Sequence, residues 1–340
     1  MTEYPHLEYL ASIVPVVDGY LRRYLAKYPP ESALHRYLYG ILDEFIARGG
    51  KRTRPALAML ACEAVGGNPE RALSTGCAIE FFHAAALIHD DIMDGSELRR
   101  GSECAHRVHG EALAINAGDY ALSLVCTIVV DDPLLDDATK LAVLRVIGEM
   151  SERTIEGQAL DVGWVRDQVF DLTVEDYMHM ALGKTGYYSG IAPLRAGAII
   201  GGGNEAQVEA LAEFGKHCSI AFQIQDDLLN LIGDEKTMGK DRLSDIKESK
   251  RTLMVVHCLN VSAPSDRDRL IELLRLGPAK TADQAQEVLG LLERYGSVEY
   301  ARAVARDLVA RGRSCLEVLP DSKARRILAS MAEYFLDREV

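Results

Sequence analysis

Two short acidic runs stand in apolar surroundings in this chain of 340 residues: Asp90-Asp91-Ile92-Met93-Asp94 and Asp226-Asp227-Leu228-Leu229-Asn230. Ahead of the first, Ile79, Phe82 and Ala86 recur at spacings of three and four, which predicts the buried stripe of a helix. Asp90 and Asp94 continue that column and are expected to face the core, with Asp91 about 100° round the helix. The second run repeats the pattern. Val208, Leu211, Gly215, Cys218 and Phe222 mark one face, and Asp226 follows Phe222 by four. A solvated acidic face does not account for carboxylates on apolar columns, where an uncompensated charge is costly. A buried salt-bridge network would offset them, and so would a hard cation. Mg²⁺ takes one or two carboxylates, keeps waters and fills its shell with phosphate oxygens. Di-iron sites in helical bundles use Glu with Glu-x-x-His pairs. Neither run has one, although His83 and His89 are near the first. Magnesium with a phosphorylated ligand fits better.

A chain of net charge −13 repels nucleic acid and anionic membrane surfaces, so a polyphosphate needs locally placed cations. Gly49-Gly50-Lys51-Arg52-Thr53-Arg54-Pro55 supplies one group. Its glycines admit close backbone approach, Pro55 suggests the first turn of a helix, and Lys51 and Arg54 can share a face. Arg99-Arg100-Gly101 follows the first aspartate helix. Lys184-Thr185 follows Gly183, read as a helix end, and Lys240, Lys247, Lys250 and Arg251 crowd the loop after the second run. Any one basic pair is more often a solvated surface feature. Their placement beside both acidic runs carries the reading.

G-G-K-R-T-R-P, L-I-H-D-D-I-M-D with L-R-R-G, G-Q-A-L-D, K-T-G, and F-Q-I-Q-D-D-L-L-N followed by D-I-K-E-S-K-R-T-L run from Gly49 to Leu253. In that order they resemble the trans-isoprenyl diphosphate synthases, the polyprenyl synthetase family. The resemblance implies an all-helical isoprenoid synthase fold with a central cavity, usually a homodimer. It implies Mg²⁺, more than one ion per site, on Asp90, Asp94 and Asp226, supported by Asp91 and Asp227. Lys51, Arg54, His83 and Arg100 match positions that hold isopentenyl diphosphate. Arg99, Lys184, Thr185, Gln223 and Lys240 match those for the allylic diphosphate, and Lys250 closes that site. The implied reaction ionises the allylic diphosphate and alkylates the second substrate, with Lys184, Thr185 and Gln223 stabilising the cation or the leaving group. Two departures from the family pattern stand out. Asn230 replaces a common Asp, which implies weaker metal support, and the loop Asp241-Arg242-Leu243-Ser244 is one residue longer than in some relatives. A terpene cyclase would not need Lys51, Arg54 and Arg100, and a non-catalytic subunit would be expected to lose aspartates or Arg99-Arg100.

Product length is expected to follow the residues before Asp90. One turn back, Ala85 and Ala86 leave room for a growing tail, and two turns back Phe82, with Phe81 beside it, forms a floor. One turn rises about 5.4 Å, comparable to an isoprene unit. This spacing favours geranylgeranyl diphosphate, with farnesyl or geranylfarnesyl diphosphate as alternatives.

The elements that must position these residues read as helices. Proline is absent between Pro69 and Pro133, Pro133 and Pro193, Pro193 and Pro264, and Pro278 and Pro320, intervals rich in helix formers. Loops are expected at 66–69, 95–110, 131–137, 201–204, 233–251 and 263–266. The acidic run Asp131-Asp132-Pro133-Leu134-Leu135-Asp136-Asp137 reads as a loop, with Asp137 the N-cap of a following helix. No low-complexity linker divides the chain, so residues 1–340 are expected to form one all-α domain, a single large helical bundle. Met1–Leu10 carries no signal-peptide pattern, and no apolar stretch is expected to reach the ~18–20 residues of a membrane span. Seven cysteines without a C-x-x-C pair argue for a reduced, cytoplasmic setting.

Overall fold

Helix-forming intervals between the prolines become helices in the computed structural model, which describes residues 5–232 and 243–337. Helices α1 (Pro5–Leu25), α2 (Gly40–Ala47), α3 (Thr53–Ala64), α4 (Leu73–Met93), α5 (Ala105–His109), α6 (Glu111–Val130), α7 (Asp137–Arg166), α8 (Val174–Ala181), α9 (Ala192–Ile200) and α10 (Glu205–Ile232) come in chain order. Helices Ser244–Lys247, Leu253–Val261, Pro264–Arg275, Ala282–Arg294, Ser297–Cys315 and Lys323–Asp337 follow. Among the described residues the only strands are Leu98–Arg99 and Ser102–Glu103, paired antiparallel.

The chain divides into two compact units. The first takes the described residues of Met1–Ser151, Tyr188–Gly215 and Arg313–Met331, and the second those of Glu152–Tyr187, Lys216–Gly312 and Ala332–Val340. In the first, α3 packs on α4 and α9, and α4 on α6. Leu57, Leu60, Ala61 and Cys62 leave α3 buried almost all round, so it is a core helix. In the second, Leu253–Val261 packs against α8 and Ala282–Arg294.

Several boundaries differ from the sequence reading. Gly183 does not end a helix: the π-helical turn Leu182–Ile191 carries the backbone from α8 into α9. Ala263 is already the cap of Pro264–Arg275, because proline serves there as a first helical residue. The N-cap of α7 is Asp136, whose Oδ1 accepts from Thr139 N at 2.8 Å, and Asp137 is the first helical residue. Helices Pro69–Met93 and Glu111–Val130 are long and apolar enough to cross a membrane, contrary to expectation. The window in Pro69–Met93 is 72% buried, so its apolar character serves the core. All seven cysteines are free.

Candidate active site

Within the first unit, two sharp turns bring the basic residues together. Arg100 (φ +54°) and Gly101 (φ +73°) make the turn of the small hairpin, where both central residues must be left-handed. The Arg100 guanidinium donates to the Gly49 carbonyl, and a side chain at Gly50 would meet Arg100 Nη2 at 3.2 Å. Arg52, also left-handed at φ +50°, precedes α3, and Arg54 lies in its first turn.

Arg52 and Arg54 then diverge in role. Arg52 is 2% exposed and bonds Asp18 Oδ1 (2.7 Å), Glu80 Oε1 (3.0 Å) and the Ile46 carbonyl (2.8 Å). Burial works against its charge, but Glu80 and Asp18 outweigh it and hold its pKa above the ordinary value. This is a structural pair of carboxylates bridged by one guanidinium. Arg52→Met removes the partner of Asp18 and leaves buried Glu80 with only Arg54 Nη1 at 3.9 Å, and it is expected to lower the unfolding free energy by about 3–5 kcal/mol in a urea titration. Exposed Lys51→Met should leave the urea midpoint unchanged. Equal midpoints for both variants would contradict the assignment.

Arg54 instead donates Nη2 to Ser189 Oγ (2.8 Å) and lies over the Tyr188 ring at 4.8 Å, while its Nε is buried with no partner among the described residues. His83 stacks on the same ring, centroids 5.6 Å apart, and its Nδ1 is likewise unpartnered. Burial, followed by Arg54, Arg100, Arg99 and Arg52, drives the His83 pKa well below its usual value, so the ring is neutral. Burial, with Arg52, Arg54 and Arg99 nearby, also lowers Arg100, although Glu80 opposes it. Guanidiniums that repel one another around unused donors are electrostatically suited to a polyanion.

The first aspartate run lies where the α4 core stripe opens. Phe81, Phe82 and Ala85 are buried, whereas Ala86, Asp90 and Asp94 are half-buried. Asp91, expected at the side, is the buried carboxylate at 1% exposure. Arg99 Nε donates to its Oδ1 at 2.7 Å, and Arg99 Nη2 reaches Asp90 Oδ2 at 3.7 Å. Asp91 Oδ2 is buried without a hydrogen-bond partner among the described residues. Phe82 packs on Tyr188 (5.9 Å), and Phe81 meets Tyr24 edge-on (6.4 Å).

In the second unit the same correction holds. Asp226, expected to face the core, is exposed, and Asp227 is buried. The stripe of Leu211, Gly215 and Cys218 fades through half-buried Phe222 before it reaches Asp226. Asp227 Oδ1 accepts from Gln223 Nε2 (2.8 Å) and Oδ2 from the Tyr177 hydroxyl (2.9 Å), while Thr185 Oγ1 donates to Gln223 Oε1 (2.6 Å). Burial, then the Asp245 charge, pushes Asp227 well above the usual carboxylate range against these two hydrogen bonds, and Asp226 adds to the shift. Asn230 is a structural strut: Nδ2 donates to Ser244 Oγ (2.7 Å) and Oδ1 accepts from Asp245 N (3.1 Å). A carboxylate there could not donate to Ser244.

Lys184 reaches Asp161 Oδ2 at 2.6 Å, and G-Q-A-L-D explains how. A Cβ at Gly157 would lie 2.0 Å from Lys184 N, so only glycine lets α7 meet the π-helical turn backbone to backbone. Asp161 follows one turn later. Lys250 is half-buried with Nζ 3.1 Å from Glu248 Oε2. Lys240 lies outside the described residues.

Among the described residues no three His, Cys, Asp or Glu side chains close a metal site by themselves. The donor sets fit Mg²⁺ nonetheless, because that ion needs few protein carboxylates beside phosphate oxygens. Asp91 Oδ2 is an unused buried acceptor, and like charge around Asp227 would be relieved by a cation. Sequence reasoning missed Tyr188, Ser189, Tyr177, Asp161 and Asp245 as site neighbours. Asp161 and Asp245 lie in motifs already singled out, and Tyr188-Ser189 comes two residues after K-T-G, beyond Tyr187.

Comparison with known proteins places the chain in a family. The profile described as polyprenyl synthetase matches residues 35–292. A short chain isoprenyl diphosphate synthase of Methanothermobacter thermautotrophicus is 40% identical over 336 residues, 98% of each chain. The crystal structure of geranylgeranyl pyrophosphate synthetase from Pyrococcus horikoshii matches with a TM-score of 0.88 at 36% identity, covering 97% of this chain and 98% of that one. Geranylgeranyl pyrophosphate synthase from Corynebacterium glutamicum, complexed with isoprenyl diphosphate and magnesium, matches with a TM-score of 0.84 at 26% identity over 99% and 100% of the two chains.

Proposed function

The chain belongs to the polyprenyl synthetase family, and we propose that it condenses isopentenyl diphosphate with allylic diphosphates to give geranylgeranyl diphosphate. The observation that carries this reading is the first unit's cation cluster around neutral His83, which provides for a diphosphate apart from the one served by the aspartates. A terpene cyclase has no use for it.

Lys51, Arg54, His83 and Arg100 hold isopentenyl diphosphate by charge, by the unused donor Arg54 Nε and by the unpartnered ring nitrogen His83 Nδ1. Arg99 orients Asp91 and screens Asp90. Lys184, with Lys240 and Lys250, takes the allylic diphosphate, while Asp161 keeps the Lys184 ammonium in place. Thr185 and Gln223, joined to Asp227, hold an oxygen-lined rim against the developing cation. Asp90, Asp94 and Asp226, with Asp91 and Asp227 in support, would hold Mg²⁺, which would supply positive charge for the departing diphosphate. The proton lost at the end goes to that diphosphate.

All described residues serve one catalytic domain in this reading, and the active form is a homodimer. Ile115, Leu122 and Val130 on α6 and Leu134 and Leu141 beyond it are exposed apolar side chains of a kind that association covers. Free thiols suit a cytoplasmic location.

An assay with isopentenyl diphosphate and allylic primers, with extracted products sized, tests the activity. Arg100→Ala and Lys51→Ala are expected to raise the KM for isopentenyl diphosphate about tenfold or more with little change for the primer. Lys184→Ala should act on primer KM and kcat. Equal weakening of both substrates in all three variants would contradict the assignment of the two sites.

A further inference from the structure

Lys250 sits between two deeply buried polar residues of the second unit, Ser249 and Arg251, which are 2% and 1% exposed. Ser249 is left-handed (φ +61°), a conformation unfavourable for an L-residue unless its surroundings impose it. Its hydroxyl donates to the Leu274 carbonyl (2.7 Å) and accepts from Lys280 Nζ (2.5 Å). On the other flank, Arg251 donates to the Ser249 carbonyl, to Val169 O (2.7 Å) and to Trp164 O (3.5 Å), and it covers the Phe170 ring at 4.5 Å. Thr252 then caps Leu253–Val261.

Both cations are buried, and among the described residues neither has a carboxylate within ion-pair distance. Burial, with Arg251 beside it, lowers the Lys280 pKa to about 8. An apolar side chain of similar length would suit the fold better at that depth. What an apolar residue could not do is grip the Ser249 hydroxyl, thirty-one positions earlier in the chain.

We propose that Lys280, acting through Ser249, is a positioning residue that fixes the backbone at Lys250 and aims its ammonium at the allylic diphosphate. The proposal rests on the reading of Lys250 given above. Hydrogen bonds hold both neighbours of Lys250, so the anchors set the course of the backbone from which its side chain leaves.

Full-length Lys280→Met, Lys250→Met and the double variant test this with geranyl diphosphate as primer. Lys280→Met is expected to raise the KM for geranyl diphosphate about tenfold while the isopentenyl diphosphate KM stays within about twofold and Tm does not fall. In the Lys250→Met background it should add nothing further. A purely structural role would lower Tm or disturb both substrates alike. Should Lys280→Met fail to fold, Ser249→Ala removes the same contact and must give the same split. An unchanged KM in Lys280→Met, or an effect that multiplies with Lys250→Met, overturns the anchor. Wild-type KM in Lys250→Met overturns the reading of Lys250 itself.

Discussion

Asp90→Ala and Asp226→Ala are each expected to lower kcat by about 10³-fold with substrate KM values moved far less, since the lost interaction is with charge that develops on ionisation. The folded structure makes these two the clean choices. Asp90 is half-buried and Asp226 exposed, so neither substitution opens the core. Asp226 is a like charge beside Asp227, and its removal should leave Tm unchanged or slightly raised. The neighbours behave differently. Asp91→Ala would leave buried Arg99 with only Asp90 at 3.7 Å, at a cost of about 3–5 kcal/mol, and Asp227→Ala would break a network with Gln223 and Tyr177. Steady-state kinetics at saturating Mg²⁺ and thermal melts of all four variants separate the two classes. Near-normal turnover of Asp90→Ala and Asp226→Ala would remove the two-cluster mechanism.

Product length is the second large effect. Ala86→Phe should convert a twenty-carbon product to farnesyl diphosphate, because Ala86 is on the open, half-buried side of α4 one turn before Asp90. Ala85 is fully buried, so Ala85→Phe is expected to overpack the core by about 1–3 kcal/mol before it shortens anything. Phe82 is held against Tyr188, and Phe81 is turned toward Tyr24, so of the two it is Phe82 that we propose as the floor on the Asp90 side. Phe82→Ala should therefore yield longer chains, although the cavity costs about 3–5 kcal/mol. Phe82→Leu, a milder cut, should lengthen the product partially and keep the fold. Extraction and chromatographic sizing of products decides the matter. A wild type that stops at fifteen carbons, or a Phe82→Ala product identical to wild type, would refute the floor.

The all-α fold, both aspartate runs and the basic segments were legible because each is a local property of the chain. Helical periodicity and the motif spacings are complete within a few turns, and they led to the right family. What the periodicity misjudged was which carboxylate of each pair is buried. A stripe drawn at steps of three and four points to Asp90 and Asp226, but burial goes to Asp91 and Asp227, whose partners are Arg99 in a hairpin and Tyr177 on another helix. Gly183 resembled a helix end because glycine often serves as one. Its actual use, close approach to Gly157, depends on a residue twenty-six positions away. Lys51-Arg52-Thr53-Arg54 is likewise uniform as text, yet Asp18 and Glu80 turn Arg52 into a strut and leave Arg54 toward Tyr188 and Ser189. Residue types and their spacing thus determined the kind of chemistry. The tertiary structure decided which side chains of each type are held and which remain available, because a buried charge keeps its place only where distant segments fold back to satisfy it.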